Sequence, residues 1–189
     1  GDRQEIVGRS HAAIGSGRRP SPGVMSAGAA AAMVAPPQGL KGGDGIYNYS
    51  AQVMKALGPD IPVVYQDYPQ TTGVYLPVPV FERLVDDYKQ LVMLKHEDAP
   101  GLAKLTKVRE GEKKPGRRLV SILVGNGGLY YPQEMPRGAD GAMTGFAWPE
   151  MLVRVYDLLA AGRVAAAGAL SVIYRPAVRP RGPAAAGLG

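Results

Sequence analysis

Short apolar runs alternate with longer amphipathic segments along most of the chain. The runs are rich in β-branched residues and end on polar residues, glycine or proline, as buried parallel strands do. They predict strands over 29–35, 61–66, 91–95, 119–124 and 141–144. The segments between them predict helices over 46–57, 79–88, 101–109, 129–135 and 148–159, the last capped by Gly162. This alternation indicates an α/β fold.

The predicted strands recur at a nearly constant spacing. Corresponding strand positions are separated by 30, 29 and 30 residues, at Val34, Val64, Met93 and Leu123. A repeated βα unit of this size implies parallel strands joined by right-handed crossovers.

Both ends of the chain depart from the repeat. Residues 3–14 predict a poor helix and residues 23–28 a short strand, but no crossover separates that strand from the next one. Either this region is one irregular segment, or a helix has been deleted near Gly28. Residues 164–189, rich in Ala, Gly, Pro and Arg, predict a low-complexity, mobile tail. The expected organisation is a remnant helix and strand over 1–28, βα units over 29–163 and the tail.

Composition narrows the class of protein. With 189 residues, 46% hydrophobic and 20% charged, the chain is typical of one globular domain. No apolar run reaches the roughly 18 to 20 residues that span a bilayer, and residues typical of a signal peptide are absent at the start. These features predict a cytoplasmic protein without a membrane partner. The chain has no cysteine and two histidines, so no metal site is expected.

The net charge of +6 raises the question of a nucleic-acid partner. Residues 1–20 contribute +2 and residues 164–189 contribute +3, which leaves +1 for the rest. The cationic run over 104–118 has no aromatic residues interleaved with it, as a stacking surface for single strands would need. We therefore expect a solvated helix end and loop there, and no nucleic-acid partner.

One lysine stands at the end of an apolar run. Lys95 follows Leu91–Leu94 and precedes His96, Glu97 and Asp98, so it would lie at the carboxyl end of a central parallel strand, where α/β folds place their chemistry. Burial disfavours the ammonium form of lysine, and a free amine can attack a ketone to form a Schiff base. The alternative is a structural lysine that snorkels or pairs with Glu97 or Asp98.

The two neighbouring strands also end on residues that suit such a site. Tyr65, Gln66 and Tyr68 end the preceding strand, and a phenol there could relay protons. The glycine-rich segment 125–128 ends the following strand, where backbone N–H groups can approach a ligand carboxylate. Core packing for the tyrosines and an ordinary βα turn for the glycines are the alternatives.

Four segments together resemble a known family. They are Tyr65-Gln-Asp-Tyr-Pro-Gln-Thr-Thr-Gly73, Leu94-Lys-His-Glu-Asp98, Val124-Gly-Asn-Gly127 and Gly138-Ala-Asp-Gly-Ala-Met-Thr-Gly145. In order and spacing they are similar to the dihydrodipicolinate synthase and N-acetylneuraminate lyase family, over about residues 30–163. The resemblance implies a (β/α)8 TIM barrel and a lyase of the class I aldolase type. Such enzymes bind pyruvate or another 2-oxo acid as a Schiff base, and we expect no cofactor.

The resemblance also assigns roles to single residues. Lys95 matches the Schiff-base lysine, with Tyr65 and Tyr68 as candidate catalytic phenols. Met143 matches a position that lines the 2-oxo acid site. The other expected substrate-binding residues are Gln66, Thr72, Gly73, Gly125 and Asn126.

The chain departs from the family pattern at two motifs. Alignment without gaps on Pro69, Thr72 and Gly73 puts Gln66 at the position of the catalytic tyrosine. The same alignment puts Thr71 where the family has an arginine for a dicarboxylic amino-aldehyde. The carboxylate-binding motif of the family's second strand is absent. The sequence therefore leaves two hypotheses, a Schiff-base lyase or aldolase and a catalytically inactive barrel fragment.

The length of the chain bears on the expected barrel. A whole (β/α)8 barrel has about 250 residues, so we expect an incomplete barrel with about strands three to eight. Its edge strands and apolar faces would be exposed, which predicts poor solubility or association unless another copy of the chain covers them.

Overall fold

A single parallel sheet forms the centre of the molecule. The computed structural model describes residues 13–14, 25 and 28–178. The strands are β1 (Ala13–Ile14), β2 (Ala32–Val34), β3 (Val63–Asp67), β4 (Leu91–His96), β5 (Ser121–Val124) and β6 (Gly141–Ala142). Within this part of the chain all six are parallel, and each pairs with the next in sequence.

Helices connect the strands from β2 onward. They are α1 (Gly43–Leu57), α2 (Pro69–Thr72), α3 (Val78–Asp87), α4 (Leu102–Glu112), α5 (Tyr131–Glu134), α6 (Pro149–Ala160) and α7 (Val164–Val178). Two short 3₁₀-helices cover 126–128 and 135–137. Sequential parallel strands with intervening helices are the arrangement of a partial (β/α)8 barrel, as the sequence predicts.

The two faces of the sheet have different surroundings. One face packs on the helices in the main core, which includes Tyr65, Leu94 and Ile122. On the other face Val64, Met93 and Leu123 form a smaller cluster, against which Met33 and Met143 pack. In a barrel this second face is the interior, and we call it the interior face. Gln66 and Lys95 lie on it, because side chains two apart on a strand share a face.

An irregularity at the start of β4 determines which way Lys95 points. The register of β3 and β4 shifts between Val63 and Val64, since Val63 pairs with Leu91 and Val64 with Met93. Leu91 consequently faces the helices while Met93 faces the interior. Without this shift, the alternation of faces would put Lys95 on the helix side.

The helices dock through apolar stripes at helical spacing. Phe81, Leu84 and Val85 are the buried residues of α3, at the i, i+3, i+4 positions of one face. Helix α6 does the same with Met151, Leu152, Val155 and Leu158. Each such side chain contributes roughly 1.5–3 kcal/mol when fully buried.

An arginine joins the opposite end of the sheet to a helix. Arg109 of α4 donates to the carbonyl oxygens of Val120 and Gly138, both at 2.8 Å, and to Asp140 Oδ2 at 2.7 Å. Asp140 Oδ2 also accepts the Ile122 N–H at 2.8 Å. These bonds fix the short strand β6 beside β5 and so position the residues that follow β6.

The amino-terminal region differs from the sequence prediction. Ala13 and Ile14 form a strand paired in parallel with β2, where a helix over 3–14 was expected. Pairing with β2 outweighs the weak helical propensity of this segment, because tertiary contacts routinely override propensity. The rest of that helix lies outside the described residues. So does the strand expected over 23–28, except for Gly28 and for Met25, which is helical.

The start of the expected tail is also different. Val164–Val178 forms helix α7, in which Ala167 is fully buried against the core. Alanine is the best helix former, and its small side chain allows close helix packing, so this composition suits a docked helix. The tail prediction for residues 179–189 lies outside the described residues. In the part of the chain that is described, no helix is both long and apolar enough to cross a bilayer.

Candidate active site

Lys95 lies near the carboxyl end of a central strand of the sheet. The register places it beside Gln66 of β3 and Leu123 of β5. Its side chain is only 14% exposed, and its Nζ lies 3.5 Å from Glu97 Oε2. The amine is therefore largely shielded from water and close to the carboxylate of Glu97.

The side chain of Glu97 lies where the carboxyl ends of β3, β4 and β5 come close together. Its side chain is 7% exposed, and it follows Lys95 by two residues, on the interior face. Oε2 accepts a hydrogen bond from Gln66 Nε2 at 2.6 Å, and Oε1 accepts the Asn126 N–H at 2.9 Å. The ends of β3, β4 and β5 are thus connected through one carboxylate.

The loop after β5 is shaped to admit this carboxylate. A Cβ atom on Gly125 would lie only 2.5 Å from both Cδ and Oε1 of Glu97. Asn126 has a φ of 48°, in the left-handed region that Asn tolerates better than most residues. Glycine at 125 is required for space, and the turn at Asn126 directs its N–H to Glu97.

Comparison with known proteins shows which solved structures the chain is similar to. Neither a family model nor a curated protein matches the chain. Among solved structures, a dihydrodipicolinate synthase from Rhodopseudomonas palustris is 47% identical, over 82% of this chain and 52% of that one, with a TM-score of 0.79. The chain is related to the dihydrodipicolinate synthases. It spans about half the length of the solved relatives it matches.

More distant dihydrodipicolinate synthases support the fold. The enzyme from Thermotoga maritima is 17% identical, with a TM-score of 0.70 over 82% of this chain and 52% of that one. The enzyme from Aquifex aeolicus is 20% identical, with a TM-score of 0.67 over 82% of this chain and 51% of that one. At these identities the likeness concerns the fold alone, and it agrees with the partial barrel.

The two tyrosines expected to serve a dihydrodipicolinate synthase-like site lie in different places. Tyr65 is 1% exposed and packs on the helix side of the sheet, away from Lys95. Burial raises the pKa of its phenol well above the ordinary value, although the Ser50 hydroxyl opposes the shift. Tyr68 is half-buried at the start of α2, just after β3. The structure therefore separates Tyr65 from the interior face.

The remaining predicted residues divide into two groups. Gln66 and Asn126 lie against Glu97, and Met143 packs on the interior cluster with Leu123. Thr72 and Gly73 instead form the end of α2. Thr72 Oγ1 donates to the Tyr68 carbonyl oxygen at 3.1 Å, and Gly73 has a φ of 69°.

Sequence reasoning missed a second polar cluster, on the helix side of the same strand ends. Lys104 Nζ of α4 lies 2.8 Å from Asp67 Oδ2 and 2.6 Å from Asp98 Oδ2. Burial raises the pKa of Asp67, and Lys104 opposes the shift. Of the two carboxylates considered as partners for Lys95, only Glu97 pairs with it. Strand alternation was the available signal, because it puts Glu97 on the face of Lys95 and Asp98 on the other.

A buried histidine completes this helix-side cluster. His96 Nδ1 lies 3.2 Å from Glu134 Oε2, and both side chains are shielded from solvent. Among the described residues, no group of three or more His, Cys, Asp or Glu side chains is placed to hold a metal ion.

Two cavities lie elsewhere on the molecule. One of about 170 Å³ lies beside Tyr131, Met151 and Gly168, and one of about 360 Å³ lies beside Lys89 and Arg117. Neither is lined by Lys95. Lys95 is thus a candidate because of its neighbouring residues and not because it lines a cavity.

Proposed function

We propose that the chain forms a Schiff base with pyruvate or another 2-oxo acid through Lys95, as lyases of the class I aldolase type do. The observation that carries the proposal is the position of Lys95. It is a shielded amine on the interior face, close to the carboxyl end of a parallel strand, where barrel enzymes place their catalytic groups. The similarity of the chain to a dihydrodipicolinate synthase also supports the proposal.

In the proposed reaction the amine of Lys95 attacks the ketone carbon of the acid. The resulting carbinolamine loses water and leaves an imine, which can stabilise a carbanion at the neighbouring carbon. Gln66, Asn126 and Met143 lie on the same face or at its edge and are proposed to contact the 2-oxo acid, together with Gly125. Of the two phenols, we propose Tyr68, because Tyr65 lies on the helix side.

Borohydride trapping tests the proposal. Reduction of an imine leaves a stable secondary amine, so pyruvate and borohydride should label the Lys95 peptide in a mass spectrum. Lys95→Arg should abolish the label. Lys89→Arg is the matched control, because Lys89 is exposed and lies just before the start of the same strand. A label on Lys55, Lys89 or Lys104 with Lys95 unlabelled would refute the assignment.

The second candidate is a chain without catalytic activity. It is favoured by Gln66, which occupies the position where the family resemblance expects a tyrosine and whose amide is bonded to Glu97 at 2.6 Å. A folded chain in which pyruvate and borohydride label no lysine would support this candidate. Cytoplasmic location and association with further copies remain predictions of the sequence.

A further inference from the structure

Glu97 is an unusual residue to find on the interior face. A buried carboxylate costs free energy unless other groups compensate its charge. Here the compensation comes from the Gln66 amide, the Asn126 N–H and the Lys95 amine, from three different strand ends. This carboxylate therefore lies at the candidate active site and not among the structural ion pairs on the helix side.

The surroundings of Glu97 fix the direction of its carboxylate. Asn126 holds Oε1 and Gln66 holds Oε2, so the carboxylate has little freedom to rotate. The oxygen held by Gln66 is also the one that faces Lys95 Nζ, at 3.5 Å. Charge-assisted hydrogen bonds are usually about 2.7–2.9 Å long, so the pair is close without being a tight ion pair. Catalytic contacts in the absence of substrate are often loose in this way.

We infer that Glu97 transfers protons to and from Lys95 and its adduct during Schiff-base formation, an inference that rests on the proposed function. The carboxylate takes a proton from the Lys95 ammonium, which frees the amine electron pair to bond to the ketone carbon. A proton then moves from nitrogen to the former ketone oxygen. The carboxylic acid returns its proton to that hydroxyl as the carbon–oxygen bond breaks. The products are water and a protonated imine, and Glu97 is again a carboxylate.

Other groups nearby are less suited to this role. Gln66 carries an amide, which does not act as an acid or a base near neutral pH. Asp98 pairs with Lys104 on the helix side, where Tyr65 also lies. Among the described side chains, Glu97 is the carboxylate in contact with Lys95.

Glu97→Gln tests the inference, because it keeps the shape of the side chain and removes the carboxyl group that can accept and donate a proton near neutral pH. The rate of borohydride-trapped labelling at Lys95 should fall on the order of 10²-fold or more, the usual contribution of general acid–base catalysis. The matched control is Glu112→Gln. Glu112 is also 7% exposed and bonded to a cation, Arg109, toward the other end of the sheet. This control should label at the wild-type rate, and thermal unfolding would report whether both variants fold.

Chemical rescue distinguishes proton transfer from a positioning role. Glu97→Ala leaves space for a small carboxylate, so added formate should accelerate labelling in this variant and not in the wild type. If Glu97→Gln does not fold, Glu97→Asp decides. Its carboxylate is set back by one methylene, so labelling should slow while the final amount of imine is unchanged.

The outcomes separate this inference from the proposed function. A labelled wild type together with an equally fast Glu97→Gln or Glu97→Asp variant would overturn the role of Glu97 and leave the Lys95 assignment standing. A folded Glu97→Ala chain that formate does not accelerate would overturn it as well. A wild type that is never labelled would overturn both.

Discussion

At the scale of residues, the candidate site depends on one close approach between Gly125 and Glu97. The loop after β5 passes so near the carboxylate that a methyl group would collide with it. The hydrogen bond from the Asn126 N–H depends on the same approach. The sequence left two alternatives for these glycines, close approach to a ligand carboxylate or an ordinary βα turn. In the structure, the Asn126 N–H meets a carboxylate of the chain itself.

Gly125→Ala should therefore displace Glu97. We expect a loss of about 1–3 kcal/mol in the free energy of unfolding, the usual cost of overpacking, and slower labelling of Lys95. Urea unfolding measures the first and borohydride trapping the second. Gly145→Ala is the control, since nothing lies within 4 Å of its added methyl group. Equal stability of the two variants would contradict the close approach.

A separate prediction at this scale concerns the helix-side cluster. Lys104→Met leaves Asp67 without its cation, and removal of one partner of a buried pair costs roughly 3–5 kcal/mol. Burial already raises the pKa of Asp67, so the folded chain binds this proton more tightly than the unfolded chain does. Lowering the pH protonates Asp67 and should consequently reduce the loss of stability that Lys104→Met causes.

Urea unfolding at several pH values would measure this effect. Lys107→Met, an exposed position on the same helix, should change stability little at any of them. A loss in Lys104→Met that grows as the pH falls would contradict the account. Adding Asp67→Asn to the Lys104→Met variant should recover part of the stability, because it removes the buried charge.

At the scale of elements, the local sequence pattern was sufficient to predict the strands that are buried on both faces. Strands β3, β4 and β5 are continuous apolar runs, and their prediction is confirmed to within two residues at each end. Beyond the register shift, the alternation of faces places Lys95 on the same face as Gln66. It was not sufficient at the start of β4, because the register shift near Val63 depends on pairing between strands.

The elements at the two ends of the chain, strand β1 and helix α7, could not be predicted from local pattern. Strand β1 has two residues, and only its pairing with β2 distinguishes it from the helix that its surroundings favour. Helix α7 has a composition that suits both a mobile tail and a helix that packs through alanine. Which of the two forms depends on a surface that other elements provide.

Helix α7 can be tested by adding volume on its buried side. Ala167→Leu inserts three carbons where the side chain has no exposed surface, so we expect a loss of about 1–3 kcal/mol in urea unfolding. Ala165→Leu adds the same volume at an exposed position of the same helix and should be nearly neutral. Equal stability in both variants would mean that α7 does not dock as described.

At the scale of the whole molecule, the sheet ends at β1 and β6 in the described residues. The chain spans about half the length of its solved relatives, and a closed barrel needs eight strands. Within the described strands, the interior face departs from the family pattern at Gln66, which stands where the resemblance expects a phenol.

We expect imine formation with little turnover in this chain. Positioning and general acid–base catalysis are each worth on the order of 10²-fold or more. Gln66 stands in place of the expected β3 tyrosine, and the proposed substitute phenol of Tyr68 lies just after the strand. The turnover with pyruvate and an aldehyde should therefore be far below the enzyme median of about 10 s⁻¹. Gln66→Tyr should raise the turnover, and Gln66→Phe, which lacks the hydroxyl, should not. A wild-type rate near that median would contradict this expectation.

The central claim is that Lys95 forms the imine, and nuclear magnetic resonance can observe it without chemical reduction. Pyruvate labelled with carbon-13 at its ketone carbon should give, besides the free ketone and its hydrate, a broadened signal from a protein-bound imine carbon. This signal should disappear in Lys95→Arg and persist in Lys89→Arg. A wild-type spectrum with only the ketone and hydrate signals, or an imine signal that survives Lys95→Arg, would contradict the account.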